Sequence, residues 1–249
     1  MITILVFFIL HWYLSLFTQT FFDHRYAAHK MFSMNKFWEK FFYILSYLFQ
    51  GSSYLSPRAY GIMHRMHHAY SDTKKDPHSP HNHHNAFTMM LSARNVYNNL
   101  VDNKIESEER FTQDLPQWKF IDNIGESGYS RIGWSLLYIT FYAFFATEWW
   151  MFMLLPIHFA MGAVHGAIVN WFGHKVGYSN FNNNDRSKNT LIFDFLMLGE
   201  LFQNNHHKNF SKPYFTSRWF EIDPVYPVIK LLDFLRVIKI LPYKFTATI

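Results

Sequence analysis

The sequence predicts an all-α, integral membrane helical protein: about three transmembrane helices, interfacial helices, and a cytoplasmic helical cap carrying the chemistry. Three observations point there. The chain opens on an uncharged run, a second apolar block from Ile132 to Gly173 holds only Glu148 as a charge, and 49% apolar with 20% aromatic residues is heavy for a soluble domain. A mean hydropathy of −0.11 averages very apolar blocks with long polar stretches, so the windows decide and the mean does not. One domain is expected over residues 1–249.

Met1 to Phe22 carries no charge, and at 1.5 Å rise per residue such a run crosses a hydrocarbon core of roughly 30 Å. This is the first predicted span, 1–22. A cleavable signal peptide would need a basic leader and a small-residue cleavage site, and neither precedes Asp23. The second block fits two spans, 132–147 and 149–172, turning at Glu148 with Trp149 and Trp150 at the interface. Of the 23 Lys and Arg residues, 13 lie between Arg25 and Arg131 and 10 between Lys175 and Lys244, none of them inside the spans. By the positive-inside rule both polar regions face the cytoplasm, as expected for a bacterial inner membrane. Anionic lipid accounts for the pI of 9.2, and no basic patch with stacking aromatics suggests nucleic acid. Asn35 to Phe49 and Val225 to Leu241 have the pattern of interfacial amphipathic helices, whereas 73–84 and 180–189 are expected as loops.

The absence of cysteine excludes disulfide frameworks, iron–sulfur clusters, zinc ribbons and thiolate nucleophiles, so any metal must sit on nitrogen or oxygen. Fifteen histidines are a large excess, and imidazole suits iron, copper, nickel and zinc. His24 and His29 form a first box in which five residues of α-helix, about 140° of rotation, predict two rings straddling a site. His64, His67 and His68 form a second box, whose offsets of three and four residues put all three rings on one helical face. Burying that trio without a metal leaves either like-charge repulsion or unpaired ring N–H groups. Gln203, His206 and His207 repeat the offsets with glutamine leading, and Gln203 is expected as a weak ligand or a donor behind the ligands. Asn170 and His174 form an i, i+4 pair at the cytoplasmic end of the third predicted span, where Asn170 is placed to hold a metal-bound water. Asp76, Glu200 and other nearby carboxylates are expected to accept ring N–H groups. The remaining histidines have plainer readings. His78, His81, His83 and His84 fall in a proline-bearing loop expected to be solvated, with His78 nearest the site, and His11, His158 and His165 fall within spans as hydrogen-bonded neutral rings.

The order of these elements, from about His24 to Phe210, resembles the membrane fatty-acyl desaturases related to stearoyl-coenzyme A desaturase, in a bacterial form. Lys75-Asp-Pro-His78 and Gly199-Glu-Leu-Phe202 resemble the family's flanking sequence as well. The resemblance implies two iron ions on His24, His29, His64, His67, His68, His174, His206 and His207, with Asn170 contacting metal through water. It implies dioxygen as co-substrate and an acyl chain carried by coenzyme A, acyl-carrier protein or a lipid. With no fused cytochrome domain in the sequence, a separate ferredoxin- or cytochrome b5-like electron donor is expected. Two departures stand out. Gln203 replaces the leading histidine of the third box, as in front-end desaturases, and one of the family's usual four spans is lacking. The missing helix bears on the acyl tunnel wall, which a neighbouring subunit of a homo-oligomer would have to supply.

Removing two hydrogens from unactivated methylenes is beyond any general base, so the expected activity is an oxygen-dependent desaturation with paired donors. A membrane hydroxylase or ketolase using the same iron chemistry is the nearest alternative. A non-catalytic metal-binding or transport protein is a third, but three histidines and Asn170 within the spans make a poor ion path.

Overall fold

The computed structural model describes residues 1–192 and 194–243. In chain order, α1 (Ile2–Thr18) runs without a break into a π-helix (Gln19–Ala28), followed by β1 (Phe32–Met34), α2 (Lys36–Gln50), α3 (Pro57–Tyr70) and α4 (Ala86–Val101). Two short helices, α5 (Glu109–Thr112) and α6 (Lys119–Gly125), lead to α7 (Gly128–Phe145), α8 (Leu155–Phe159) and α9 (Met161–Lys175). The small α10 (Gln203–Lys208), α11 (Val225–Phe234) and β2 (Ile238–Ile240) close the described chain. The all-α prediction is met but for one two-stranded ribbon, in which β1 pairs antiparallel with β2.

Local chemistry sets the helix starts. Asn35, Asn85 and Ser127 each accept a backbone N–H of the first turn of α2, α4 and α7, at 3.0, 2.9 and 3.1 Å. Pro57 opens α3, where its missing N–H costs nothing. The amphipathic segment predicted at 35–49 is α2, with Phe37, Phe41, Ile44 and Leu48 exposed along it. The one predicted at 225–241 is shorter. α11 stops at Phe234, Arg236 takes a left-handed turn, and residues 238–240 extend to pair with β1.

The predicted spans fare unevenly. The helix from Ile2 to Ala28 is long and apolar enough to cross a membrane. The second apolar block does turn at Glu148, but its second arm is bent: the helical segments 149–159 and 161–175 meet at 73° around Ala160. Length and composition therefore give one unbroken membrane-length helix among the described residues, and a second if the bent pair is one span. The three histidines of the predicted spans join helices. His11 and His158 face each other at 2.6 Å, Tyr142 meets His158 at 2.9 Å, and Gln19 donates to His165 at 3.3 Å. An aromatic core built from Phe21, Phe22, Phe32, Tyr43, Phe202 and Phe215 packs the π-helix against α2 and the C-terminal segment.

Candidate metal centre

The two rings of the first box are brought together by backbone rather than by α-helical spacing. His24 and His29 lie on the π-helix and its C-terminal cap, where the N–H of His29 bonds to the carbonyl of His24 at 3.2 Å. An i→i+5 ladder stacks residues five apart, so the ring centroids lie 4.9 Å from each other. The straddling predicted from α-helical rotation is therefore replaced by a shared face. Arg65, inside the second box, stabilises the turn's end by donating to Ala28 O at 2.8 Å and Ala27 O at 3.3 Å.

Helix α3 presents the second box against this turn, and its offsets divide the histidines as the spacing allows. Five rings, His24, His29, His64, His68 and His206, have donor atoms within 4.8 Å of one another; His67, His174 and His207 form a second such set. All eight histidines singled out in the sequence fall in one set or the other. In the larger set the Nε2 atoms run His29–His64 2.8 Å, His64–His68 3.0 Å, His68–His206 3.0 Å and His206–His24 3.0 Å. A neutral imidazole carries one N–H, so a run of inward Nε2 atoms at this spacing has too few protons to be a hydrogen-bond network. It fits lone pairs converging on a cation.

Carboxylates fix the tautomers from behind. His67 Nδ1 donates to both Asp76 oxygens at 3.0 and 2.9 Å, His174 Nδ1 to Asp72 at 3.0 Å, and His207 Nδ1 to Asp185 at 2.7 Å. Every ring of the three-histidine set thus turns Nε2 inward, the arrangement that orients metal-binding imidazoles. In the five-histidine set, among the described residues, only His24 has such a partner, Glu200 at 2.8 Å. Glu200 is in turn held by Thr20 and by the fully buried Arg25, which also reaches Asp223 at 2.8 Å across the face of Phe215. Asp76 and Glu200 were legible from the sequence as such partners; Asp72 and Asp185 lie 102 and 22 residues from the rings they hold and left no motif to find them by.

The electrostatics agree. Burial, and then the neighbouring imidazoles, push His29, His64, His68 and His206 well below the ordinary range, leaving them neutral with lone pairs free. Burial opposes the charges on Asp76 and Asp72, yet the adjoining His67 and His174 hold both well below the usual carboxylate range. Asp185 is likewise brought to about 2 by His207 against its burial.

The third box owes its placement to the two asparagines inside it. Asn204 accepts the amides of Asn180 and Phe181 at 2.8 Å each, and Asn205 donates to Phe215 O at 2.9 Å and Glu221 at 2.8 Å. They lock α10 to the 180–189 loop, which carries Asp185. Gln203 spends its amide on Glu200 O at 2.6 Å and packs on Gly173, where an added Cβ would stand 2.5 Å from Gln203 Cγ. Asn170 donates to Gly166 O at 2.9 Å within its helix and lines the adjoining cavity. Neither residue's amide nitrogen meets a histidine ring. The loop expected to be solvated is so only in part, because His78 is 4% exposed while His84 is exposed.

A cavity of about 1130 Å³ opens from the histidine cage. His24, His64 and Gln203 are part of its lining, and so are Leu16, Met63, Met90, Phe159, Val164 and Val169. Tyr60, also in the lining, stacks on His64 at 5.6 Å. At its flank Phe87 of α4 and Ile132 and Leu136 of α7 are exposed, so the cavity is open along one side.

Residues 2–228 match the fatty acid desaturase family. The chain is 27% identical over 219 residues to an sn-1 stearoyl-lipid 9-desaturase of Anabaena variabilis, covering 85% of this chain and 74% of that one. It is 29% identical over 225 residues to an acyl-CoA C20 Delta5-desaturase of Anemone leveillei, covering 85% and 65%. A second sn-1 stearoyl-lipid 9-desaturase, from Synechocystis, is 29% identical over 219 residues, covering 87% and 64%. The chain thus spans 64% to 74% of these relatives' own lengths. Since the match takes in every element that builds the histidine cage, from α1 to α10, the protein belongs to the fatty acid desaturase family.

Proposed function

We propose that the protein is an oxygen-dependent membrane acyl desaturase whose eight caged histidines hold two iron ions. The observation that carries this reading is the junction of an all-imidazole donor set with a largely apolar cavity of about 1130 Å³. Bound iron with dioxygen and two electrons supplies the oxidising power that removal of hydrogen from unactivated methylenes demands. The chain's own residues do the rest. Asp72, Asp76, Asp185 and Glu200 keep the ring protons on Nδ1, so the Nε2 lone pairs stay available without rearrangement. The apolar walls exclude water and hold the acyl chain at a fixed depth, and that depth decides which carbons reach the cage. Asn170, in the cavity lining, is the group assigned to a metal-bound water, and Gln203 acts behind the ligands.

Three spans, 1–22, 132–147 and 149–172, with the cage on the cytoplasmic face of a bacterial inner membrane, are the arrangement that the charge distribution supports. The open flank at Phe87, Ile132 and Leu136 supports entry of the chain sideways from the bilayer, and the relatives named for stearoyl-lipid and acyl-CoA substrates support an acyl chain carried by a lipid or by coenzyme A. Electrons come from a separate ferredoxin- or cytochrome b5-like donor. The test is expression in a host with mass-spectrometric profiling of its lipids, against a His67→Ala control. New monounsaturated chains absent from the control are expected. Hydroxylated or keto products instead would replace desaturase by hydroxylase or ketolase, and identical profiles with active wild-type protein would make the cage structural.

A further inference from the structure

The two donor sets are unequal, five imidazoles against three. The smaller set has a carboxylate behind every ring but only three protein nitrogens in front, and Gln203, which leads the third box, has turned its amide to the Glu200 carbonyl. His78 lies beside that smaller set. Its ring is 4.3 Å from the ring of His67, and the donor atoms of His67, Asp76 and His78 form a group of their own within 4.8 Å of one another, which shares only His67 with the His67, His174 and His207 set. The segment carrying it is clamped from both sides: its own N–H donates to Asp76 at 3.0 Å, and the next residue, Ser79, donates to Asp72 at 2.9 Å. Those are the carboxylates that orient His67 and His174. Its Nε2 is buried without a hydrogen-bond partner, and the residue lines the cavity together with Asn170 and Gln203. A buried imidazole nitrogen left unpaired is costly unless something outside the chain meets it. The neighbouring loop histidines differ: His81 is occupied by the His174 carbonyl at 2.9 Å and by Arg186 at 3.1 Å, and His84 is exposed.

We propose that His78 is the fourth protein donor of the ion held by His67, His174 and His207, its free Nε2 completing the set from the cavity side. The inference rests on the two-metal reading above, and it gives the chain a ninth metal-site histidine in place of the imidazole that Gln203 does not supply.

The test compares full-length wild type with His78→Ala, His78→Gln and His84→Ala, all purified in detergent. Iron per chain is measured during titration with a competing chelator, and the visible spectrum is recorded after exchange to cobalt. Wild type and His84→Ala are expected to hold about two irons, and His78→Ala to keep one while binding the other at least tenfold more weakly. Cobalt-loaded His78→Gln, the variant that decides if the alanine form does not fold, should show an altered ligand field at one of its two ions. Unchanged chelator resistance in His78→Ala, or an unchanged cobalt spectrum in His78→Gln, would overturn the proposal while leaving the two-metal reading intact. Wild-type protein with no bound metal would instead remove the reading on which it rests.

Discussion

Carboxylates stand behind all three rings of one donor set and behind a single ring of the other, so removing their charge should act on the two ions separately. Asp76→Asn is the first such perturbation. Asparagine keeps one oxygen, so it can accept either the Asp72 amide, which Asp76 takes on Oδ2 at 2.9 Å, or the His78 amide, taken on Oδ1 at 3.0 Å, and the negative charge facing His67 Nδ1 is lost. Loss of such a partner typically costs 10–100-fold in metal affinity, about 1.4–2.7 kcal/mol. Asp185→Asn should cost a similar amount through His207. Asp72→Asn should cost somewhat more, because Asp72 also accepts the Arg186 amide at 2.8 Å and so ties two loops together. Glu200→Gln should spare that ion and weaken the one bound by the five-histidine set. The assay is iron per chain against chelator concentration, where the wild type should show two separable steps. Each aspartate variant should move one step by a factor of ten to a hundred, and Glu200→Gln should move the other. If all four variants shift both steps equally, or none shifts either, the division into two carboxylate-tuned sets is wrong.

Gln203→Ala should leave iron per chain unchanged if the side chain, whose amide nitrogen is held by the Glu200 carbonyl, acts behind the ligands; loss of one iron on metal analysis would make it a ligand. Gly173→Val should crowd Gln203 and the start of α10, with an overpacking cost of about 1–3 kcal/mol that lowers the thermal midpoint; an unchanged midpoint would mean that α10 yields freely. Metal-free protein should lose stability on acidification. His29, His64, His68 and His206 are held well below 6.5 when folded, so under acid conditions the unfolded chain binds more protons than the folded one. Between about pH 7.5 and 5.5 each contributes a loss on the order of 1 kcal/mol, and His67, raised by Asp76 against its burial, offsets part of it. A thermal midpoint that rises over the same interval would contradict the buried neutral state.

The site was more legible than the fold because its geometry is written in short offsets. The second box fixes His64, His67 and His68 on one helix, and that local rule survives folding. The third box survives for a different reason: its short helix is pinned by Asn204 and Asn205, residues whose spacing signals nothing. What the sequence could not disclose lies in backbone departures and long-range partners. The bend at Ala160 follows no proline at that position, β2 occupies residues whose pattern is equally helical, and Asp72 reaches His174 across 102 residues. His78 lies in a loop, as its surroundings in the sequence predict, but a loop that folds inward against two buried carboxylates looks in sequence like any other polar, proline-bearing stretch.

The π-helix of the first box has a consequence for how related sequences are compared. A π turn is an α turn with one residue wound in, so His-x4-His on this backbone puts two rings where His-x3-His would put them on a plain α-helix. Removing Ala27 would therefore shorten the motif without parting the rings, provided that the ladder relaxes by one step, whereas a proline there would fix the count and ruin the geometry. A pattern search that insists on four intervening residues would discard the first and accept the second. The hydrogen-bond ladder, and not the number of letters between the histidines, sets where the two imidazoles meet.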